Sequence, residues 1–487
     1  MTTISKDSTA APQKDNRRGL VVCQILGLAA LALVIYSIMG SNYRILKYVV
    51  FAAAAVFVVI KPGFTPYAFI LSFFTMQPVF TKGLMLSVHV TDVIFVFLFF
   101  VFICSKKIDI NAALEKQRVL SISLSLFVLW AVFGYFVNFY NRTELENITS
   151  ALFIFNFLEM AVMVILFSQP LWKEHREKFI FFYVICSFCE IVIAVTLELL
   201  DGAKTFADFH KFTGTLGPHH AMLGNAMVLS FGVASCAFFE LRGKAERIFS
   251  LCVAFLSIAT ILLSGTRSAF LGMLLAIPIV ILLLLRAKWS IPIVILSAIV
   301  LFTVVGMSTL KGIALHALLG STSADSADMS SYGRLLIWER VYEYAMYAPW
   351  LQKIIGIGVG AFTSLKFDYY LEAGTFTTGA HNNFLHVFVE SGIVGFIILG
   401  AVFIDIIRKL VLKSRCEDNA SKCFLLCTLI LLCSGITQET FWFNPSFGRF
   451  WFHYMFFYLI IFNFRDEERF VPRKEGKNEI AYRKAGL

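Results

Sequence analysis

SAFLGMLLAIPIVILLLLR, residues 268–286, has no charged side chain before its last residue. At about 1.5 Å of rise per residue, such a run is long enough as a helix to cross a hydrocarbon core of about 30 Å. Comparable runs of roughly 17 to 25 residues recur from Leu20 to Phe464. FAAAAVFVVI, residues 51–60, is apolar at every position, whereas barrel strands alternate apolar and polar side chains in segments of about ten residues. Helices are therefore expected, because in lipid they satisfy every backbone N–H and C=O internally. Composition agrees: 58% of the 487 residues are hydrophobic and 15% charged, too little polar surface for a soluble domain of this length.

Turn signals between the runs place spans near 20–39, 45–60, 64–80, 84–104, 119–139, 148–168, 178–199, 220–240, 248–264, 268–286, 290–307, 383–403, 423–439 and 449–464. The fold class expected is all-α, a polytopic helical membrane protein of about 12–14 transmembrane helices with one large periplasmic loop. Pro62, Pro66 and Pro78 interrupt the second and third spans, which can instead form a re-entrant pair without changing the downstream orientation. Most of the 42 Lys and Arg fall on the side of the termini, most clearly in Trp172–Lys178, Leu241–Arg247 and Arg408–Lys422. By the positive-inside rule both termini are then cytoplasmic, in a bacterial inner membrane. The expected organisation is a cytoplasmic tail over 1–19, a transmembrane domain over 20–464 and a second cytoplasmic tail over 465–487. The motif-bearing part of that domain covers 209–464, and its large periplasmic loop 308–382.

Several function classes fall away. The net charge of +10 is spent capping cytoplasmic helix ends, so no nucleic-acid partner is expected. Met1–Arg18 is polar and the run Leu20–Met39 is too long for a signal-peptide core, so it is expected to stay as the first span. All ten cysteines fall in spans or cytoplasmic segments, and no exported disulfide is expected. Cys186 and Cys189 have CxxC spacing inside an apolar run, where packing is the simpler role. Gly356, Gly358 and Gly360 lack the flanking strand and helix of a nucleotide site and read as a tight turn. In the large loop, Ser321–Ser331 is rich in Ser, Asp and Ala and is expected to be flexible. Tyr332–Trp350 carries apolar and aromatic residues at helical spacing and is expected to lie along the membrane surface.

Charged groups at or inside a span cost several kcal/mol unless paired or used, so the candidates for chemistry are few. Four clusters share the outer face: KFTGTLGPHHAMLGN (Lys211–Asn225), SGTRS (Ser264–Ser268), GRLLIWER (Gly333–Arg340) and HNNFLHVFVESGIVG (His381–Gly395). Arg267 on its own is an ordinary headgroup anchor. Surrounded by Ser264, Thr266 and Ser268 at a helix start, it resembles the mouth of an anion site. Arg334 has the alternative of a solvated charge beside Glu339, Arg340 and Glu343, but it shares a helical stripe with Trp338 and Val341 while Glu339 points elsewhere. His381 is a plain polar cap or a general base, since a neutral imidazole accepts a proton from a sugar hydroxyl while Arg side chains grip phosphate oxygens. Glu390, nine residues on and about 13 Å deeper, is expected to be a satisfied intramembrane carboxylate rather than the direct partner of His381.

The order of these motifs around one large outer loop is similar to that of the O-antigen ligase superfamily, which also includes O-antigen and exopolysaccharide polymerases. The resemblance covers roughly Thr213–Phe464 and is sharpest in SGTRS, in GRLLIWER followed by GIGVGAF, and in HNNFLHVFVESGIVG. It implies a glycosyltransferase that takes a glycan from undecaprenyl diphosphate at the outer leaflet, without metal or other cofactor. Carried over by motif, Arg267, Arg334 and Lys211 bind the lipid-linked diphosphate, and His381 activates or orients the acceptor hydroxyl. His219, His220, Asn382 and Trp338 are possible contacts to donor or acceptor. GTLGPHH departs from the family, which often reads glycine and then proline followed by asparagine, so the branch is open. A ligase uses a lipid A core as acceptor, and a polymerase uses another lipid-linked glycan.

Two rival classes remain on the sequence. A lipid-linked sugar transporter fits the span count, although transporters tend to place functional charges near the midplane and to show internal repeats. A metal-dependent glycosyltransferase would need clustered outer carboxylates, and no Asp-x-Asp occurs.

Overall fold

A computed structural model describes residues 65–74, 78–82, 86–89, 91–96, 115–200, 220–264, 266–284, 326–362, 379–416, 418–441 and 450–462, and the single residues 99, 111 and 365. The chain divides into two compact units, Met1–Ala68 and Phe69–Leu487. Of the first, only residues 65–68 are described, the opening of helix α1 (Thr65–Phe73). The second unit holds the rest.

In chain order it contains a strand pair, β1 (Pro78–Lys82) and β2 (Leu86–His89), and then the helices α2 (Arg118–Asn138), α3 (Glu144–Phe167), α4 (Arg176–Leu200), α5 (His220–Glu240), α6 (Lys244–Leu263) and α7 (Arg267–Leu284). After these come α8 (Ser326–Tyr347), α9 (Trp350–Ile355), α10 (Asn383–Arg415), α11 (Asn419–Ser434) and α12 (Phe450–Phe462). Among the described residues six helices are long and apolar enough to cross a bilayer, α2 to α6 and α10, and α7, α11 and α12 are shorter apolar helices. The protein is thus a helical, polytopic membrane protein, as its hydropathy implies. Every expected span from 119–139 to 268–286, and those at 383–403, 423–439 and 449–464, coincides with one of these helices. The spans at 20–39, 45–60 and 290–307 lie outside the described residues.

Two expectations need correcting. Helix α1 ends at Phe73, and β1 and β2 pair antiparallel with Phe80 opposite Val88 and Lys82 opposite Leu86, where the end of span 64–80 and the start of span 84–104 had been expected; residues 91–96, inside the latter, are helical. Pro78 lacks the N–H a helix would need, and Val79, Thr81 and Val88 favour extended backbone. Helix α10, which holds the expected span 383–403, runs for 33 residues to Arg415. Helix α8 begins at Ser326, so half of the stretch expected to be flexible is helical. Ala327 and Met329 are good helix formers.

Packing follows the solvent. Leu129, Phe133 and Phe136 on α2 are exposed although apolar, which is what a lipid-facing surface requires. The interior is aromatic: every residue of α12 is buried, with Phe456 against Phe69 and Phe167, and Tyr454 stacked on Phe424. Small hydroxyls join helices at depth, with Ser187 Oγ donating to Ser230 on α5 and Thr428 Oγ1 within 2.9 Å of Tyr454. At one end of the bundle Arg176 pairs with Glu240 at 2.6 Å and Lys409 with Asp405 at 2.6 Å. The eight cysteines that are described are free thiols.

Candidate active site at one end of the helix bundle

At the other end, four helix termini converge. Gly224, in the first turns of α5, lies so close to Thr266 that a Cβ there would collide with the threonine side chain. Ser434 Oγ, closing α11, donates to Asn225 Oδ1 at 3.0 Å. Asn383 N, opening α10, donates to Gly435 O at 2.7 Å, its Nδ2 to Thr440 Oγ1 at 2.8 Å, and its Oδ1 accepts from Phe441 N. The SGTRS tip and the HNN helix start therefore share one end of the bundle. Gly224→Ala tests this packing. With Thr266 unable to yield by rotation alone, destabilisation of about 1–3 kcal/mol is expected, read as a fall in Tm of the detergent-solubilised protein.

His381 is the only non-glycine residue of positive φ (48°) among the described residues. That conformation costs on the order of 1–2 kcal/mol and persists only where neighbours hold it. They do so from three directions. The His381 N–H donates to Glu439 Oε1. Trp338 Nε1 donates to Ala380 O at 2.9 Å. Asn382 Oδ1 caps α10 by accepting from Phe384 N and Leu385 N. The imidazole is 33% exposed and its Nδ1 lies 3.6 Å from Glu439 Oε2, while the glutamate is fully buried.

Behind Glu439 lies a second imidazole. His386 Nδ1 is 3.3 Å from Glu439 Oε1, and its Nε2 is 3.3 Å from Glu390 Oε1. The buried Glu439 carboxylate thus faces two imidazoles and the His381 N–H. Gly379 makes the approach possible, since a Cβ there would collide with Glu439 Oε1.

Glu390 is the satisfied carboxylate expected from the sequence, and its partners are specific. It accepts from Gly360 N at 2.8 Å and Phe362 N at 2.9 Å. Next to it Gly392 breaks the helix with φ 66°, and the freed carbonyls are taken by other elements. Ile357 N donates to Val389 O at 2.9 Å, Gly358 N to Glu390 O at 2.8 Å, and Trp130 Nε1 of α2 to Ser391 O at 2.8 Å. The GIGVGAF segment is thus a strap hydrogen-bonded into a helix break, consistent with a reading of its glycines as loop geometry. Arg142 secures the far side, with its guanidinium on Ile357 O and on Ser150 Oγ at 2.7 Å. Burial pulls that guanidinium below its ordinary value, with Glu390 and Glu146 opposing. A cleft of about 800 Å³ beside it, between α2 and α3, is lined by Tyr135, Phe139, Arg142, Glu144 and Phe155.

The helix expected in the large loop docks on the same assembly. Ile337, Val341 and the half-buried Trp338 and Tyr344 of α8 pack with Phe362, Ala380 and Val389. Glu339 is exposed, as its place on the helix implies. Arg334 lies one turn before Trp338 on the α8 backbone, and Arg267 is the first residue of α7; their side chains lie outside the description. His220 opens α5, with its side chain likewise outside it, and Lys211 and His219 lie outside the described residues. Trp338 and Asn382 are described, and each serves to fix the backbone around His381. The sequence reading missed Glu439 and His386. The i, i+4 spacing of His386 and Glu390 was a usable signal, while Glu439 is 58 residues from His381 in a segment with no motif. Among the described residues no group of His, Cys, Asp and Glu is arranged to hold a metal ion.

No curated protein matches the chain. A family model described as O-antigen ligase matches residues 252–400. That segment includes the SGTRS tip, α8, the GIGVGAF strap, His381 and the break at Gly392. Residues 252–400 are thus similar to the O-antigen ligase family, which supports the resemblance carried by the motifs.

Proposed function

We propose that this chain works in surface polysaccharide synthesis as a glycosyltransferase, moving a glycan from undecaprenyl diphosphate to an acceptor hydroxyl at the periplasmic face of the inner membrane. The observation that carries this reading is His381. It is held in a strained backbone at the mouth of α10 by a buried carboxylate, at the bundle end where the Arg267 helix start and the α8 stripe also gather.

As the acceptor oxygen bonds to the anomeric carbon, its proton passes to His381 Nε2. The bond from that carbon to the diphosphate oxygen breaks, and the electron pair leaves with the diphosphate. Attack opposite the leaving group inverts the anomeric centre. Arg267, Arg334 and Lys211 stabilise the departing charge, the usual largest contribution in a site of this kind, and no metal is required where fixed cations do this. His219, His220, Asn382 and Trp338 border the space for acceptor or donor sugars. Arg267 opening α7 and His381 preceding α10 favour transfer over the transport reading, which calls for charges near the midplane.

Ligase and polymerase share this chemistry and differ in acceptor. Removal of the gene followed by gel analysis of surface glycan tests the proposal. Unattached polymer is expected if the acceptor is a lipid A core, and a single attached repeat if it is another lipid-linked glycan. An unchanged glycan profile would overturn the assignment.

A further inference from the structure

The proposal above uses Glu439 only to hold the His381 backbone, and it gives His386 no role. Glu439 is fully buried, accepts the His381 N–H and lies within 3.6 Å of His381 Nδ1. His386, also buried, spans from Glu439 to Glu390 at 3.3 Å on each side. Glu390 in turn holds the strap through Gly360 N and Phe362 N. Ionisable groups so deep are costly unless used or mutually compensated, and here Glu439 ends on the partly exposed imidazole of His381. Both carboxylates have structural partners in the His381, Gly360 and Phe362 N–H groups; the oxygen of Glu439 that faces His381 Nδ1 is the one these backbone bonds do not use.

We propose that Glu439 is a positioning residue for His381: its charge, 3.6 Å from Nδ1, favours the proton on that nitrogen so that Nε2 is left as the acceptor, and His386 ties this orientation to the docking of the GIGVGAF strap through Glu390. The inference rests on the proposed role of His381. Among the described residues, the titratable groups facing Glu439 are His381 and His386. His386 also faces Glu390, and the only charged group from α2–α3 that reaches the strap among the described contacts is Arg142.

The full chain in proteoliposomes, supplied with undecaprenyl-diphosphate-linked oligosaccharide and either a lipid A core or a second lipid-linked repeat, provides the test. Glu439→Gln keeps the shape and an acceptor oxygen but removes the negative charge that favours the imidazolium forming in the transition state. It should lower kcat about 10²-fold, within the range general-base catalysis supplies, with donor KM unchanged. The acid limb of the kcat profile should move to lower pH, and Glu439→Asp should recover part of the rate. A merely structural role would not move the pH limb while sparing KM. Wild-type kcat and an unmoved limb in Glu439→Gln, beside an inactive His381→Ala, would overturn the inference and leave the role of His381 standing. An active His381→Ala would remove that role itself. Should Glu439→Gln fail to accumulate in the membrane, Glu439→Asp decides: a lowered kcat with a moved limb supports the inference, and an unaltered enzyme overturns it.

Discussion

Alanine at His381, Arg267 or Arg334 is expected to abolish attached surface glycan while leaving the protein in the membrane at normal levels. Loss of a positioned general base removes about 10²–10⁴-fold in rate. Loss of one donor aimed at developing charge removes about 10²–10³-fold. Either is enough to empty the glycan ladder on a gel. The His381 change should also be structurally mild, because the glutamate contact that fixes this residue includes its backbone N–H, which alanine retains. Immunoblots of membrane fractions establish insertion, and the gel establishes activity. Normal glycan from all three variants would remove the catalytic assignment.

The second large effect is on folding. At Gly392, φ is 66°, and a Cβ would collide with the carbonyl of Ile354 and sit 2.7 Å from Gly356 N. Both obstacles are backbone, so neither can rotate away. Gly392→Ala is expected to destabilise by more than about 3 kcal/mol, the sum of left-handed strain and overpacking. It should either deplete the protein from the membrane or lower its Tm steeply. Gly400 on the same helix is the control, since nothing lies within 4 Å of a Cβ there. Alanine at that site should be neutral or stabilising by up to about 1 kcal/mol. Similar Tm values for the two variants would contradict the strap geometry.

The legible part of this protein was the part the bilayer dictates. Where a run is apolar throughout, as in α7 or α12, lipid leaves the backbone one solution and hydropathy reads it directly. The stretch 78–89 misled because its apolar content matches a span, while the proline and the β-branched residues that turn it into a ribbon act locally and are diluted in a window of span length. Of the site, His381 was visible because it opens a helix in a motif. Its supports were not, because the contact from Glu439 to His386 crosses 53 residues and those from Glu390 to the strap cross 30 and 28. A single sequence records no pairing over such distances. The sequence also showed three glycines in a row of alternate positions, but not that a fourth, Gly392, prepares the surface they dock on.

The break at Gly392 also bears on how such enzymes can be recombined. Residues 383–391 are continuous in sequence with the long helix, yet their last three carbonyls are claimed by residues 357 and 358 and by Trp130. Two of those carbonyls are held by the strap and the third by α2, so this short cylinder is coupled to the strap as well as to the bundle. A chimera that exchanges the outer loop for a relative's and leaves the helix intact would mate a foreign strap with a native socket. The natural cassette is the loop together with the short cylinder, joined to the rest of the helix just after Gly392.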